Sequence, residues 1–107
     1  YMAYPETDRF IQACIRKHQT LGFHVNKGNE HCVELKGRER KGSLWIRPRY
    51  SGYRVQTTGQ AQALDRTIEN LCGSPLGSHK PQEYKYWHID DSAIVERIID
   101  VFAKLTG

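Results

Sequence analysis

Twenty-eight consecutive residues, His31 to Thr58, constrain this chain more than any others, because they alternate apolar and polar side chains and are broken twice by turn sequences. Gly37 to Gly42 (GRERKG) and Tyr50 to Gly52 are glycine-bearing breaks flanked by β-branched and aromatic residues, the mark of successive hairpins. An antiparallel meander is the expected result. On the strand Ser43 to Arg49, alternation sends Leu44 and Ile46 to one face and Trp45, Arg47 and Arg49 to the other. One face is therefore apolar, and the second is cationic and aromatic.

The rest of the chain supplies what such a sheet needs to bury its apolar face. Thr7 or Asp8 can cap a helix with an apolar stripe of Phe10, Ile11, Cys14, Ile15 and Leu21, ended by Gly22. Phe23 to Asn26 and His31 to Lys36 read as strands joined through Lys27, Gly28 and Asn29. Tyr53 to Thr57 follows the central strand, and Gln60 to Cys72 has helical periodicity at Leu64, Ile68, Leu71 and Cys72. Gly73 to Gln82, with two glycines and two prolines, reads as irregular chain. Tyr84 to Ile89 is a fifth strand, and Asp90, Asp91 and Ser92 can cap the last helix, whose stripe is Ile94, Val95, Ile98, Ile99, Phe102 and Leu105.

The expected fold is α+β, a mainly antiparallel five-stranded sheet with helices on one face, in the order α-β-β-β-β-α-β-α. A length of 107 residues fits one domain, 1–107, with one core. From the Trp45 strand through YKYWHIDD to the closing helix, the pattern resembles small α+β domains of bacterial accessory proteins. That resemblance implies a fold and brings no functional residue with it.

Composition narrows the function classes. Hydrophobic residues at 38% and charged residues at 26% suit a globular chain, and no apolar run reaches the ~20 residues of a membrane span, so no membrane partner is expected. The opening YMAYPETDRF lacks the charged-then-apolar order of a secretion signal. Cys14, Cys32 and Cys72 are odd in number and widely spaced, so they read as reduced thiols of an intracellular protein, cytoplasmic or nucleoid or nuclear. Neither a metal site nor a cofactor site is expected, because paired ligand spacings, glycine-rich phosphate loops and nucleophile elbows are missing.

Charge is distributed unevenly. Lys36, Arg38, Arg40, Lys41, Arg47, Arg49 and Arg54 lie within nineteen residues and are opposed only by Glu39, whereas after Val55 seven acids outnumber five bases. Such clustering is the footprint of a phosphate binder, and exposed aromatic rings among the cations would stack on unpaired bases. The expected function is binding of nucleic acid, DNA or RNA, through the sheet face and basic loop. Its candidate residues are Lys36, Arg38, Arg40, Lys41, Trp45, Arg47, Arg49 and Arg54, with Lys85 and Trp87 extending the platform if the fifth strand shares the register. A narrower version closes both tryptophans and Tyr84 or Tyr86 into a cage around a modified base or methylated cation.

Two alternatives draw in part on the same residues. A small nuclease would draw on His24, His31, His88, Glu34, Arg47 and Arg54 for acid–base chemistry, or on the E-x-K of Glu34 and Lys36 for a metal. No spacing demands catalysis, so no catalytic residue is assigned. An immunity or adaptor module would turn the cationic aromatic face to an acidic protein partner.

Overall fold

The computed structural model describes residues 4–27, 29–37, 39 and 41–106. Helix α1 (Arg9–Thr20) starts where Asp8 accepts a hydrogen bond from the Ile11 amide at 2.9 Å, satisfying one of the helix's free N–H groups. It stops at Gly22, whose φ of +87° is the left-handed turn that glycine takes at no steric cost.

Four strands follow: β1 (Val25–Asn26), β2 (Val33–Lys36), β3 (Gly42–Pro48) and β4 (Tyr53–Gly59). β1 and β2 are shorter than alternation suggests. Asn29 bonds the His31 and Cys32 amides through its side chain at 2.7 and 3.1 Å, which holds that stretch in a turn instead of a ladder. The β3–β4 turn needs Gly52. It has φ +75°, and a Cβ there would lie 2.6 Å from the Ile89 carbonyl oxygen. Pro48 ends β3 where β2 no longer runs beside it, since the β2 ladder reaches only to Val33 opposite Ile46.

The expected helix from Gln60 divides into a 3-10 turn (Gln60–Leu64) and α2 (Asp65–Cys72). β5 (Gly77–His79) and β6 (Tyr84–Ile89) come next, and α3 (Ser92–Thr106) closes the chain after Asp91 accepts from the Ala93 amide at 2.9 Å. The sheet has six strands, in the order β1-β2-β3-β4-β6-β5, antiparallel throughout. The five-strand expectation is thus corrected by β5, which lies in the stretch read as irregular. β5 has no apolar alternation of its own and is held at the edge by β6, with the Leu76 amide also bonded to the Tyr86 carbonyl at 2.8 Å.

All three helices lie on one face. Ile11 and Cys14 of α1, Ile68 of α2, and Val95, Ile98, Ile99 and Phe102 of α3 form a single cluster with Val33, Leu35, Leu44, Ile46, Val55, Trp87 and Ile89 of the sheet. Burying this cluster is the main driving force for the fold. Among the described residues no helix is long and apolar enough to cross a membrane.

The open sheet face as candidate functional site

Because the helices take one face, every alternate side chain of β2, β3, β4 and β6 points to the other. The register builds two rows across it. One runs Glu34, Trp45, Gln56, Tyr86, and the second runs Arg47, Arg54, His88. Arg47 and Arg54 are direct cross-strand partners. Like charges in that position repel, so the pair costs stability unless something offsets it. Among the described residues no carboxylate lies within ion-pair distance of either guanidinium. Arg54 instead sits over the Tyr86 ring at 4.9 Å, and its buried Nε finds no hydrogen-bond partner among the described residues.

Beside this pair a trough of about 580 Å³, lined by polar and aromatic side chains, crosses the face. Cys32, Trp45, Gln56 and Thr58 contribute its floor from β3, β4 and the approach to β2, while His79, Lys80 and Tyr84 come from the β5–β6 hairpin. The Trp45 indole donates to Thr58 Oγ1 at 3.0 Å, and Thr58 donates in turn to the Ser43 carbonyl at 3.4 Å. Gln56 Nε2 bonds His79 Nδ1 at 2.7 Å and the Tyr84 carbonyl at 3.2 Å. His79 stacks on Tyr86 with ring centres 4.8 Å apart. Trp45, Thr58, Gln56 and His79 are therefore held in place by their neighbours.

The expected site residues distribute as follows. Lys36, Trp45, Arg47 and Arg54 share the open face, and Arg49 lies just past the end of β3. Lys36 is bound to Glu34 at 3.1 Å, and Lys41 pairs with exposed Glu39 at 3.1 Å, a contact worth little in water. Arg38 and Arg40 lie outside the described residues. Lys85 and Trp87 belong to the opposite face, against expectation. Their parity on β6 is that of Ile89, and Trp87 pairs with Val55 and is 1% exposed, with its indole bonded to the Gly73 carbonyl at 3.0 Å. Lys85 pairs with Glu69 of α2 at 3.5 Å. The two tryptophans therefore cannot close a common cage.

The acid–base candidates do not converge. His24, ahead of β1, and His88, on β6, are separated by four strand spacings, roughly 19 Å or more. His31 stacks on Tyr4 with centres 5.6 Å apart and reaches Glu30 at 3.2 Å, while His88 bonds Asp90 at 3.1 Å. Burial would raise the Glu34 carboxyl, but hydrogen bonds from Ser43 at 2.6 Å, Lys36 and Asn26 outweigh it and hold the group below its usual range. Glu34 is thus a structural anchor for β1, β2 and β3. Among the described residues no three His, Cys, Asp or Glu side chains group as metal ligands would.

The cysteines are free. Burial, with a smaller push from Glu96, raises the Cys14 thiol to about 11, and burial raises Cys72 as well, so neither is an activated nucleophile. Cys32 lies in the trough.

No protein-family model, curated protein or solved structure matches the chain. Its functional reading comes from the geometry alone. Sequence reasoning puts Arg54 among the candidates but does not reveal the trough, because Gln56, Thr58 and His79 look like ordinary polar surface until β5 folds back beside β6. The one local signal was Lys80-Pro81, which marks a turn able to return the chain.

Proposed function

We propose that this domain binds single-stranded nucleic acid across the open face of its sheet. The Arg47–Arg54 pair carries the reading: two guanidiniums held opposite one another, without a carboxylate among the described residues, form a site that an anion would stabilise. Arginine's planar fork can donate two hydrogen bonds to the oxygens of one phosphate, and the backbone of a nucleic acid offers phosphates in series. The adjoining trough of about 580 Å³ has Trp45 and Tyr84 among its lining residues. Stacking needs a base free of its partner strand, which favours single strands over duplex. Binding without cleavage is favoured by the separation of His24 from His88 and by the hydrogen bonds that occupy Glu34.

The experiment is a salt titration of labelled single-stranded DNA, single-stranded RNA and duplex DNA, with probe integrity followed with and without magnesium. The expected result is intact probes, tighter binding of single strands, and affinity that falls steeply with salt. Arg47→Ala should lessen the logarithmic salt slope by about 0.7, the loss of one phosphate contact to a single strand. No binding at low salt would overturn the proposal and favour an acidic protein partner. Cleavage would overturn the binding-only reading.

A further inference from the structure

We infer that the trough selects bases that present an N–H donor, such as the 6-amino group of adenine, and that Gln56 is the residue that reads it. This rests on the nucleic-acid reading above and adds a specificity to it. A side-chain amide ordinarily offers donors and acceptors alike, which makes a free glutamine a poor discriminator. Gln56 is not free. The Tyr84 carbonyl, 3.2 Å from Nε2, can only accept, so it fixes which end of the amide faces β6. The same Nε2 lies 2.7 Å from His79 Nδ1, which must then also be an acceptor. Both amino hydrogens of Gln56 are consumed, and the carbonyl Oε1 has no partner among the described residues. The trough thereby presents a fixed acceptor.

Two of the donors beside it are occupied, while Lys80 at the hairpin keeps its charge for a phosphate. The Trp45 N–H is given to Thr58, and the single Thr58 proton is given to the Ser43 carbonyl. Trp45 has no polar atom left to offer, so it contributes its ring as a stacking surface. A planar ligand stacked there and presenting N–H to Gln56 Oε1 satisfies the site, while one presenting only a C–H or an acceptor leaves Oε1 desolvated and unpaired. His79 stacks on Tyr86, and Tyr86 lies under Arg54, so the trough and the arginine row are contiguous.

The test uses two single-stranded 12-mers that differ only in the amino group, one of adenine and one of purine lacking the 6-amino group. Affinities are compared at one salt concentration for the wild-type protein and Gln56→Met. The wild type should bind the adenine strand about tenfold more tightly, one good hydrogen bond's worth, and Gln56→Met should bind both strands as the wild type binds purine. Equal wild-type affinities, or a preference for purine, would overturn the inference and leave the binding reading standing. Discrimination that survives in a folded Gln56→Met protein would overturn the role of Gln56. Failure of both strands to bind would sink the underlying reading. Should Gln56→Met not fold, the wild-type comparison decides the amino-group preference, and His79→Phe, which frees one amide hydrogen while keeping the stack on Tyr86, should reduce it.

Discussion

Trp45 and Trp87 stand on neighbouring regions of one sheet, both donate their indole N–H at 3.0 Å, and yet they serve opposite faces. Trp87 is sealed under the helices at 1% exposure, where its ring fills core volume. Trp45 is half-buried in the trough on the uncovered side. A satisfied indole therefore says nothing about whether a tryptophan is core or surface. Register decides it: Trp87 has the parity of Ile89 and faces Val55 in the ladder, whereas Trp45 lies between Glu34 and Gln56.

The widest separation should appear in stability. Trp87→Ala removes a buried ring and leaves a cavity, and is expected to destabilise the domain by about 3–5 kcal/mol in urea denaturation. Ile98→Ala, another truncation under the same helices, should cost roughly 2–5 kcal/mol. Trp45→Ala should cost about 1–2 kcal/mol, since it forfeits one hydrogen bond and half of its packing. If Trp45→Ala unfolds the protein, the two faces are not distinct and the open-face site falls.

Binding should reverse the ranking. Trp45→Ala is expected to weaken single-strand affinity by about 1–3 kcal/mol, the worth of one stacked base. Trp87→Phe, which keeps most of the core volume, should leave affinity unchanged. That variant is also the instrument for the comparison, because Trp45 is then the only indole and its fluorescence should respond to an added oligonucleotide. A silent Trp45 in a protein that demonstrably binds would move the ligand off the trough.

Much of this is legible in the chain itself. The four-strand meander follows from alternation at Val33, Leu35, Leu44, Ile46 and Val55, and α3 from its unbroken stripe at Ile94 through Phe102. β5 was not legible, for Gly77-Ser78-His79 has no apolar or β-branched residue and becomes a strand only because β6 offers it an edge. The face of Trp87 was misjudged since YKYWHI is aromatic at both parities, and Ile89, its single aliphatic residue, was the clue to the inward set. The arginines of the open face could be placed, but their pairing across β3 and β4 required the register, and the trough required the topology.

The smallest effect expected concerns a histidine on the helix-covered side. His18 is 1% exposed between Phe23 and Phe102, whose ring centres lie 4.7 and 5.9 Å away. Its Nε2 lies 3.0 Å from the Lys36 carbonyl, which can only accept, so the proton is on Nε2; Nδ1 is buried without a partner. Burial pushes the His18 pKa below its ordinary 6.5, with the Lys36 carbonyl opposing weakly. In the interval between the lowered folded value and about 6.5, the unfolded chain binds more protons than the folded one, so stability falls as pH drops through it and is fully present above it. Glu34, held below its ordinary 4.5, adds a separate loss at more acid pH. Urea midpoints taken from pH 7.5 to pH 5 should decline for the wild type and decline less for His18→Phe, whose ring suits the same aromatic slot. An unchanged slope in that variant would mean that the His18 ring is not held neutral in the core. It would also weaken the contrast drawn between a dry, helix-covered face and a wet, polar one.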